Sequence, residues 1–131
     1  MSKLIARKLI ENIYNIEAIF LFNCTSDELA KWWKKNFPEA NELDIDSSCA
    51  GGVWKITPPE GERYIRVIWV AKQSDLDTLQ HEVNHLAMSV FEDRGIPLDC
   101  GSQEPFCYYS EFWFKSLRAL LRTNGKSSQL K

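Results

Sequence analysis

Long hydrophobic segments are absent from this sequence of 131 residues. No run of about 18 apolar residues occurs, so we expect no membrane-spanning helix. The N-terminal segment, MSKLIARK, lacks the uninterrupted apolar region of a secretory signal. The net charge is only −2, so the chain as a whole has no electrostatic attraction to nucleic acid or to anionic membranes. These absences predict a cytoplasmic protein.

The spacing of the cysteines disfavours a structural zinc knuckle. The four cysteines, Cys24, Cys49, Cys100 and Cys107, include no pair with C-x-x-C spacing. In a cytosolic protein such cysteines are expected to be reduced thiols rather than disulfides. Cys100 and Cys107 stay open as minor candidates for metal binding because they lie near the candidate third ligands described below.

The composition predicts one folded domain over residues 1–131. Hydrophobic residues make up 44% of the chain, which is typical of a globular protein, and no internal repeat is visible. The polar segment 123–131 is predicted to be a flexible tail. The spacing of apolar residues in 3–14 predicts a short helix, although their β-branched side chains would also suit a strand.

The remaining pattern predicts an α+β fold. Apolar, β-branched segments predict strands, and residues 39–52 predict an acidic, glycine-rich loop. The expected strands are 16–23, 53–57 and 63–70, the last two forming a hairpin. Helices are expected at 27–37, 75–94 and 103–122, with Thr25 or Ser26 capping the first, Ser74 or Asp75 beginning the second and Gly95 ending it.

The two histidines of the chain stand four residues apart in residues 79–86, LQHEVNHL. On a helix this spacing places His81 and His85 on one face, where both imidazoles can reach one metal ion. Glu82 is rotated about 100° from His81, so it lies beside the metal, where a general base for a metal-bound water is needed. The alternative is a surface helix with two solvated histidines. Both lie off the predicted apolar stripe of this helix, and this favours a metal-facing cleft over core packing. The stripe consists of Leu79, Val83, Leu86, Ala87 and Val90.

A catalytic zinc ion usually takes three protein ligands, and the chain has no third histidine. Carboxylates and thiolates downstream are therefore the candidates, namely Glu92, Asp93, Asp99, Cys100, Glu104, Cys107 and Glu111. Glu104 is the preferred third ligand because it follows His85 by 19 residues, which leaves room for a second helix to return across the first. Asp99 is the second choice. Tyr108, four residues after Glu104, could stabilise an oxyanion or could simply be a packed tyrosine.

The H-E-x-x-H helix followed by Glu104 on a second helix resembles the gluzincin branch of the zincin metallopeptidases. Residues 79–113 are also similar to small peptidase-like proteins of phages and prophages, which would place the protein in the cytoplasm of a host cell. The resemblance implies a minimal zincin core, a small, mostly antiparallel sheet packed against both helices. It further implies an extended peptide substrate paired with strand 63–70. The family's separate transition-state histidine has no counterpart here, so Tyr108, Arg94 or Arg66 would have to replace it.

These observations predict a zinc-dependent hydrolase, most simply a small peptidase with His81, His85 and Glu104 as zinc ligands. Glu82 would be the general base and Tyr108 an auxiliary catalytic residue. The alternative is a binding or assembly protein on the same scaffold. Nucleic-acid binding is a weaker idea, suggested by a C-terminal stretch of basic residues without acids: Lys115, Arg118, Arg122, Lys126 and Lys131.

Overall fold

A four-stranded mixed sheet forms the centre of the computed structural model, which describes residues 4–40, 43, 45–57 and 64–124. The strands are β1 (Ile5–Glu11), β2 (Ile16–Phe22), β3 (Gly51–Ile56) and β4 (Ile65–Val70), in the spatial order β1-β2-β4-β3. β2 and β4 are parallel, whereas the outer pairs β1/β2 and β3/β4 are antiparallel. The predicted α+β fold, its mostly antiparallel sheet and the hairpin pairing of β3 with β4 are confirmed.

Helices cover both faces of the sheet. The helices are α1 (Ser26–Asn36), α2 (Leu76–Asp93) and α3 (Gln103–Arg122), with a short 3₁₀ turn at Cys100–Ser102. α1 packs on one face through Leu29 and Trp33, while α2 and α3 pack on the other. Because β2 and β4 lie between these two layers, most of their side chains are buried, and this explains their largely apolar sequences.

The N-terminal segment is a strand, so the helix favoured for residues 3–14 is wrong. β1 pairs along its whole length with β2, from Ile5 opposite Phe22 to Glu11 opposite Ile16. Its β-branched residues suit this pairing, which was the alternative left open. Glu11 is buried near the end of the strand, where its carboxylate accepts hydrogen bonds from the Tyr109 hydroxyl and the Tyr14 amide.

Capping interactions fix the ends of the helices where the sequence predicted them. The Thr25 hydroxyl accepts a hydrogen bond from the Glu28 amide, and the Glu28 carboxylate accepts one from the Thr25 amide, forming a capping box. At the start of α2 the Asp75 carboxylate accepts a hydrogen bond from the Thr78 amide. Gly95 ends α2 with a φ of 70°, a left-handed conformation that glycine adopts without strain.

An ionic cluster ties α2 to the sheet. Arg66 on β4 is 1% exposed, and its guanidinium donates hydrogen bonds to the Ser89 hydroxyl and to the Asp93 carboxylate of α2. Lys55 on β3 also donates to Asp93, at 2.9 Å. Burial raises the pKa of the Asp93 carboxyl, but the hydrogen bonds and charges of Lys55 and Arg66 outweigh it and lower that pKa overall. One carboxylate on the last turn of α2 therefore holds two cations from adjacent strands.

The turn of the predicted hairpin, at 58–63, lies outside the described residues. Residues 125–131 of the predicted tail also lie outside them. Within the described part of the chain, no helix has both the length and the apolar character needed to cross a membrane. The basic residues Lys126 and Lys131 also fall outside it, so the idea of nucleic-acid binding stays untested.

The cysteines should differ in reactivity. Cys24 is 2% exposed, whereas Cys49, Cys100 and Cys107 are exposed. Burial raises the pKa of the Cys24 thiol to about 11, so the reactive thiolate is scarce near neutral pH. We expect iodoacetamide at pH 8 to label three thiols in the folded protein and all four in denaturant, as counted by mass spectrometry. Labelling of Cys24 as fast as Cys49 would contradict its buried position.

Substitution of Asp93 should weaken the fold in a pH-dependent way. Asp93→Asn leaves the buried Arg66 without a counter-charge, and we expect a loss of about 2 to 3 kcal/mol at pH 7 in urea unfolding. Because the Asp93 pKa is lowered by folding, this contribution is present above the unfolded carboxyl pKa of about 3.9 and disappears as pH falls through the folded pKa. Wild type and variant should therefore converge in stability in acid.

The control is Glu39→Gln, which removes the charge of an exposed carboxylate outside the ionic cluster. It should leave the free energy of unfolding unchanged at pH 7 and in acid. An Asp93→Asn protein as stable as wild type at pH 7 would show that the ionic cluster does not hold α2 against the sheet.

Candidate metal centre

The two histidine rings meet on the solvent-facing side of α2. The Nε2 atoms of His81 and His85 are 3.2 Å apart, and the rings are nearly perpendicular, at 76°. Two imidazoles bound to one tetrahedral zinc ion at about 2.0–2.1 Å have nitrogens roughly 3.4 Å apart. The observed separation therefore fits two ligands of one ion. It also fits a single hydrogen bond between one protonated and one unprotonated nitrogen.

Glu82 completes a three-residue group with the histidines. One ligand atom from each of His81, Glu82 and His85 lies within 4.8 Å of the others. The histidines are exposed, but Glu82 is only 7% exposed. Burial raises the pKa of the Glu82 carboxyl, and the nearby histidines offset part of this rise. A carboxylate with a raised pKa is a better proton acceptor, which suits a general base.

Gly51 provides the space that Glu82 occupies against the sheet. A Cβ atom at Gly51 would lie 2.6 Å from Thr78 Cγ2, 2.9 Å from the Trp69 carbonyl oxygen and 3.0 Å from Glu82 Cγ. The predicted loop at 39–52 therefore ends earlier than expected, because Gly51 and Gly52 belong to β3. The close approach of α2 to this strand requires a residue without a side chain.

An open cleft runs from Glu82 and His85 along β3. It is lined by Gly52, Val53, Trp54, Lys55, Glu82, His85 and Ser89 and has a volume of about 400 Å³. β3 is an edge strand of the described sheet. β4, in contrast, pairs with β2 on one side and β3 on the other. The prediction that a substrate pairs with strand 63–70 is therefore wrong, since neither side of β4 is free, and β3 is the strand that borders the site.

The structure does not bring Glu104 to the histidines. Glu104 is exposed in the first turn of α3 and is not part of the group that could hold a metal. α3 contacts the motif through Ser110, whose hydroxyl donates a hydrogen bond to Asn84 Oδ1 at 2.8 Å. Glu104 is six residues before Ser110, about 9 Å along the helix axis. Its role as third ligand stays a prediction that requires the start of α3 to move.

The proposed auxiliary residues also lie away from the histidines. Tyr108 is 68% exposed and does not line the cleft. Arg66 is engaged with Asp93 and Ser89, and the Arg94 guanidinium donates a hydrogen bond to the Tyr14 carbonyl. Asp99, the second choice for a ligand, caps the 3₁₀ turn before α3 and accepts a hydrogen bond from the Gly101 amide.

No match to this chain was found among protein-family models, curated proteins or solved structures. The resemblance to zincin metallopeptidases therefore stays a prediction from the motif and its spacing. Gly52 and Lys55 line the cleft, but neither was among the site residues predicted from the sequence. The Gly51-Gly52 pair directly before the alternating segment 53–57 was a usable signal, since glycine within a strand often marks a close approach of another element.

Gly51→Ala should destabilise the protein by forcing α2 away from β3. One of the atoms that the new methyl group would meet is the backbone oxygen of Trp69, which cannot rotate away. We expect a loss of about 1 to 3 kcal/mol in urea unfolding, the usual cost of overpacking. Gly101→Ala is the matched control, because a methyl group there would meet only the Asp99 carboxylate, at 3.3 Å. Equal losses in both variants would argue against the packing of Glu82 on Gly51.

Proposed function

We propose that the protein is a metal-dependent hydrolase, with zinc as the metal and a peptide as the substrate. The observation that carries the proposal is the 3.2 Å separation of His81 Nε2 and His85 Nε2 beside the buried carboxylate of Glu82. Glu82 and His85 line a cleft whose wall is an edge strand of the described sheet, and His81 lies beside His85. This combination provides two imidazole ligands, a base and a surface for an extended chain.

His81 and His85 would hold the metal, and a bound zinc ion would polarise the substrate carbonyl and acidify water. Glu82 would accept the proton of the attacking water and pass it to the amine as the C–N bond breaks. The peptide would add by backbone hydrogen bonds to the outer edge of β3, which pairs with no strand among the described residues. The substrate would thus run beside α2, with its scissile bond near Gly51 and Glu82.

The second candidate is a binding protein that holds a metal or a peptide without hydrolysis. The position of Glu104 favours it, because a catalytic zinc usually takes a third protein ligand and, in the described part of the chain, no further histidine, cysteine or carboxylate joins the group.

Cytoplasmic location is also a proposal, supported by the exposed thiols of Cys49, Cys100 and Cys107, which suit a reducing compartment.

Glu82→Gln separates metal binding from hydrolysis. The amide cannot accept the proton of water, so we expect zinc content to stay unchanged while peptide cleavage falls at least about 100-fold. Zinc would be measured by elemental analysis and cleavage by mass spectrometry of a peptide-library digest. His81→Ala should lose both. Glu92→Gln, the same change at an exposed position of α2 outside the cluster, is the control and should keep both.

Two results would count against the proposal. Cleavage by Glu82→Gln at the wild-type rate would remove Glu82 from the mechanism. Stoichiometric zinc with no cleavage of any peptide by the wild type would favour the binding protein over the hydrolase.

A further inference from the structure

The end of the cleft distant from the histidines carries a positive charge. Lys55 and Arg66 are directly opposite each other in the β3/β4 ladder, and both bind the Asp93 carboxylate. Two cations share one anion, so the cluster has a net charge of +1. Arg66 is buried, whereas the Lys55 side chain is 36% exposed and lines the cleft. The unbalanced charge is therefore presented to a ligand by Lys55.

The direction of the Lys55 side chain follows from the strand. Side chains alternate between the two faces of β3, and Gly51, Val53 and Lys55 share the face that is turned to α2. At the motif end of this row lies Glu82, against Gly51. At the other end Lys55 Nζ lies 2.9 Å from Asp93 and 4.5 Å from the centre of the Tyr64 ring. Four residues of strand separate the two ends by about 13 Å.

We propose that Lys55 is a specificity-determining residue that selects an acidic side chain in the bound peptide. The proposal rests on the proposed binding of a peptide along β3. An added strand places the side chain opposite Lys55 on the same face of the sheet, with its Cβ about 5 Å away. This distance is within reach of a charge-assisted contact between the Lys55 ammonium and an Asp or Glu carboxylate.

The position of the acidic residue follows from the register. Antiparallel pairing is slightly more stable per residue than parallel pairing, and β3 runs from Gly51 at the motif end to Lys55. A peptide that pairs antiparallel to β3 therefore places its acidic residue on the N-terminal side of the residue opposite Gly51. The separation equals that between Gly51 and Lys55, so the preferred acid precedes the cleaved bond by about four residues.

The first test measures binding, without any need for cleavage. Fluorescein-labelled peptides of Thr and Gln, each with a single Glu or a single Lys at successive positions, would be titrated with the zinc-loaded Glu82→Gln protein and followed by anisotropy. We expect the best Glu peptide to bind about threefold to fivefold more tightly than its Lys counterpart, the range for a partly exposed ion pair. This preference should shrink at high salt.

Variants of Lys55 in the same Glu82→Gln background assign the effect. Lys55→Met should abolish the preference, and Lys55→Glu should reverse it in favour of the Lys peptides. Lys8→Glu makes the same charge change on β1, at the opposite edge of the sheet, and should leave the preference unchanged. Thermal unfolding of each variant checks that the fold is intact. Equal binding of Glu and Lys peptides, or a preference that survives Lys55→Met, would overturn the proposal.

The second test measures cleavage of the same peptides by the wild type. We expect the Glu residue in the best substrates to lie three to five residues before the cleaved bond, and an acid preferred after the bond would overturn the register. If peptides bind with the acidic preference and none is cleaved, the proposed hydrolase fails while the role of Lys55 stands. If peptides are cleaved with no acidic preference, the role of Lys55 fails while the hydrolase stands.

Discussion

The distance between α2 and β3 is the constraint on which the rest of the structure depends. At one end the helix can approach because Gly51 has no side chain to meet Thr78 and Glu82. At the other end Asp93 binds Lys55 from β3 and Arg66 from β4. A helix fixed at both ends against a strand cannot roll, so the face that carries the histidines keeps its orientation. The cleft between them is a consequence of this double attachment.

His81, Glu82 and His85 differ in solvent exposure, and this difference suits them to different chemical roles. His81 and His85 face solvent, where a cation can reach them without crossing protein. Glu82 is turned towards the sheet, where loss of water makes its negative charge more costly and its affinity for a proton higher. A single turn of helix thus provides two accessible nitrogens and one partly desolvated carboxylate. The division depends on helix geometry and on the nearness of β3.

Patterns within short segments of the sequence predicted most of the helices and strands. The arrangement of elements that are distant in the chain could not be predicted in this way. The helices at 27–37, 75–94 and 103–122 were predictable because the signals for a helix lie within it or directly beside it. These signals are the apolar periodicity and end residues such as Asp75 and Gly95. The strand order was not, because pairing of β2 with β4 depends on segments more than 40 residues apart. The sequence of β4 is apolar at all positions but Arg66 because the strand is buried on both faces, which is typical of a central strand. The placement of Glu104 depends on how α3 crosses α2, which spacing along the chain does not determine.

The sequence of β3 disfavours self-association of the protein through this edge of the sheet. An uncovered strand edge offers unpaired backbone groups to any other chain, including a second copy of itself. β3 has six residues, two of them glycines with poor strand-forming tendency, and it carries an inward-pointing lysine. Short length, glycine and an inward charge each disfavour pairing between identical edges. The same features leave the strand receptive to a ligand whose charge complements Lys55, so resistance to self-association and choice of ligand would arise from the same few side chains.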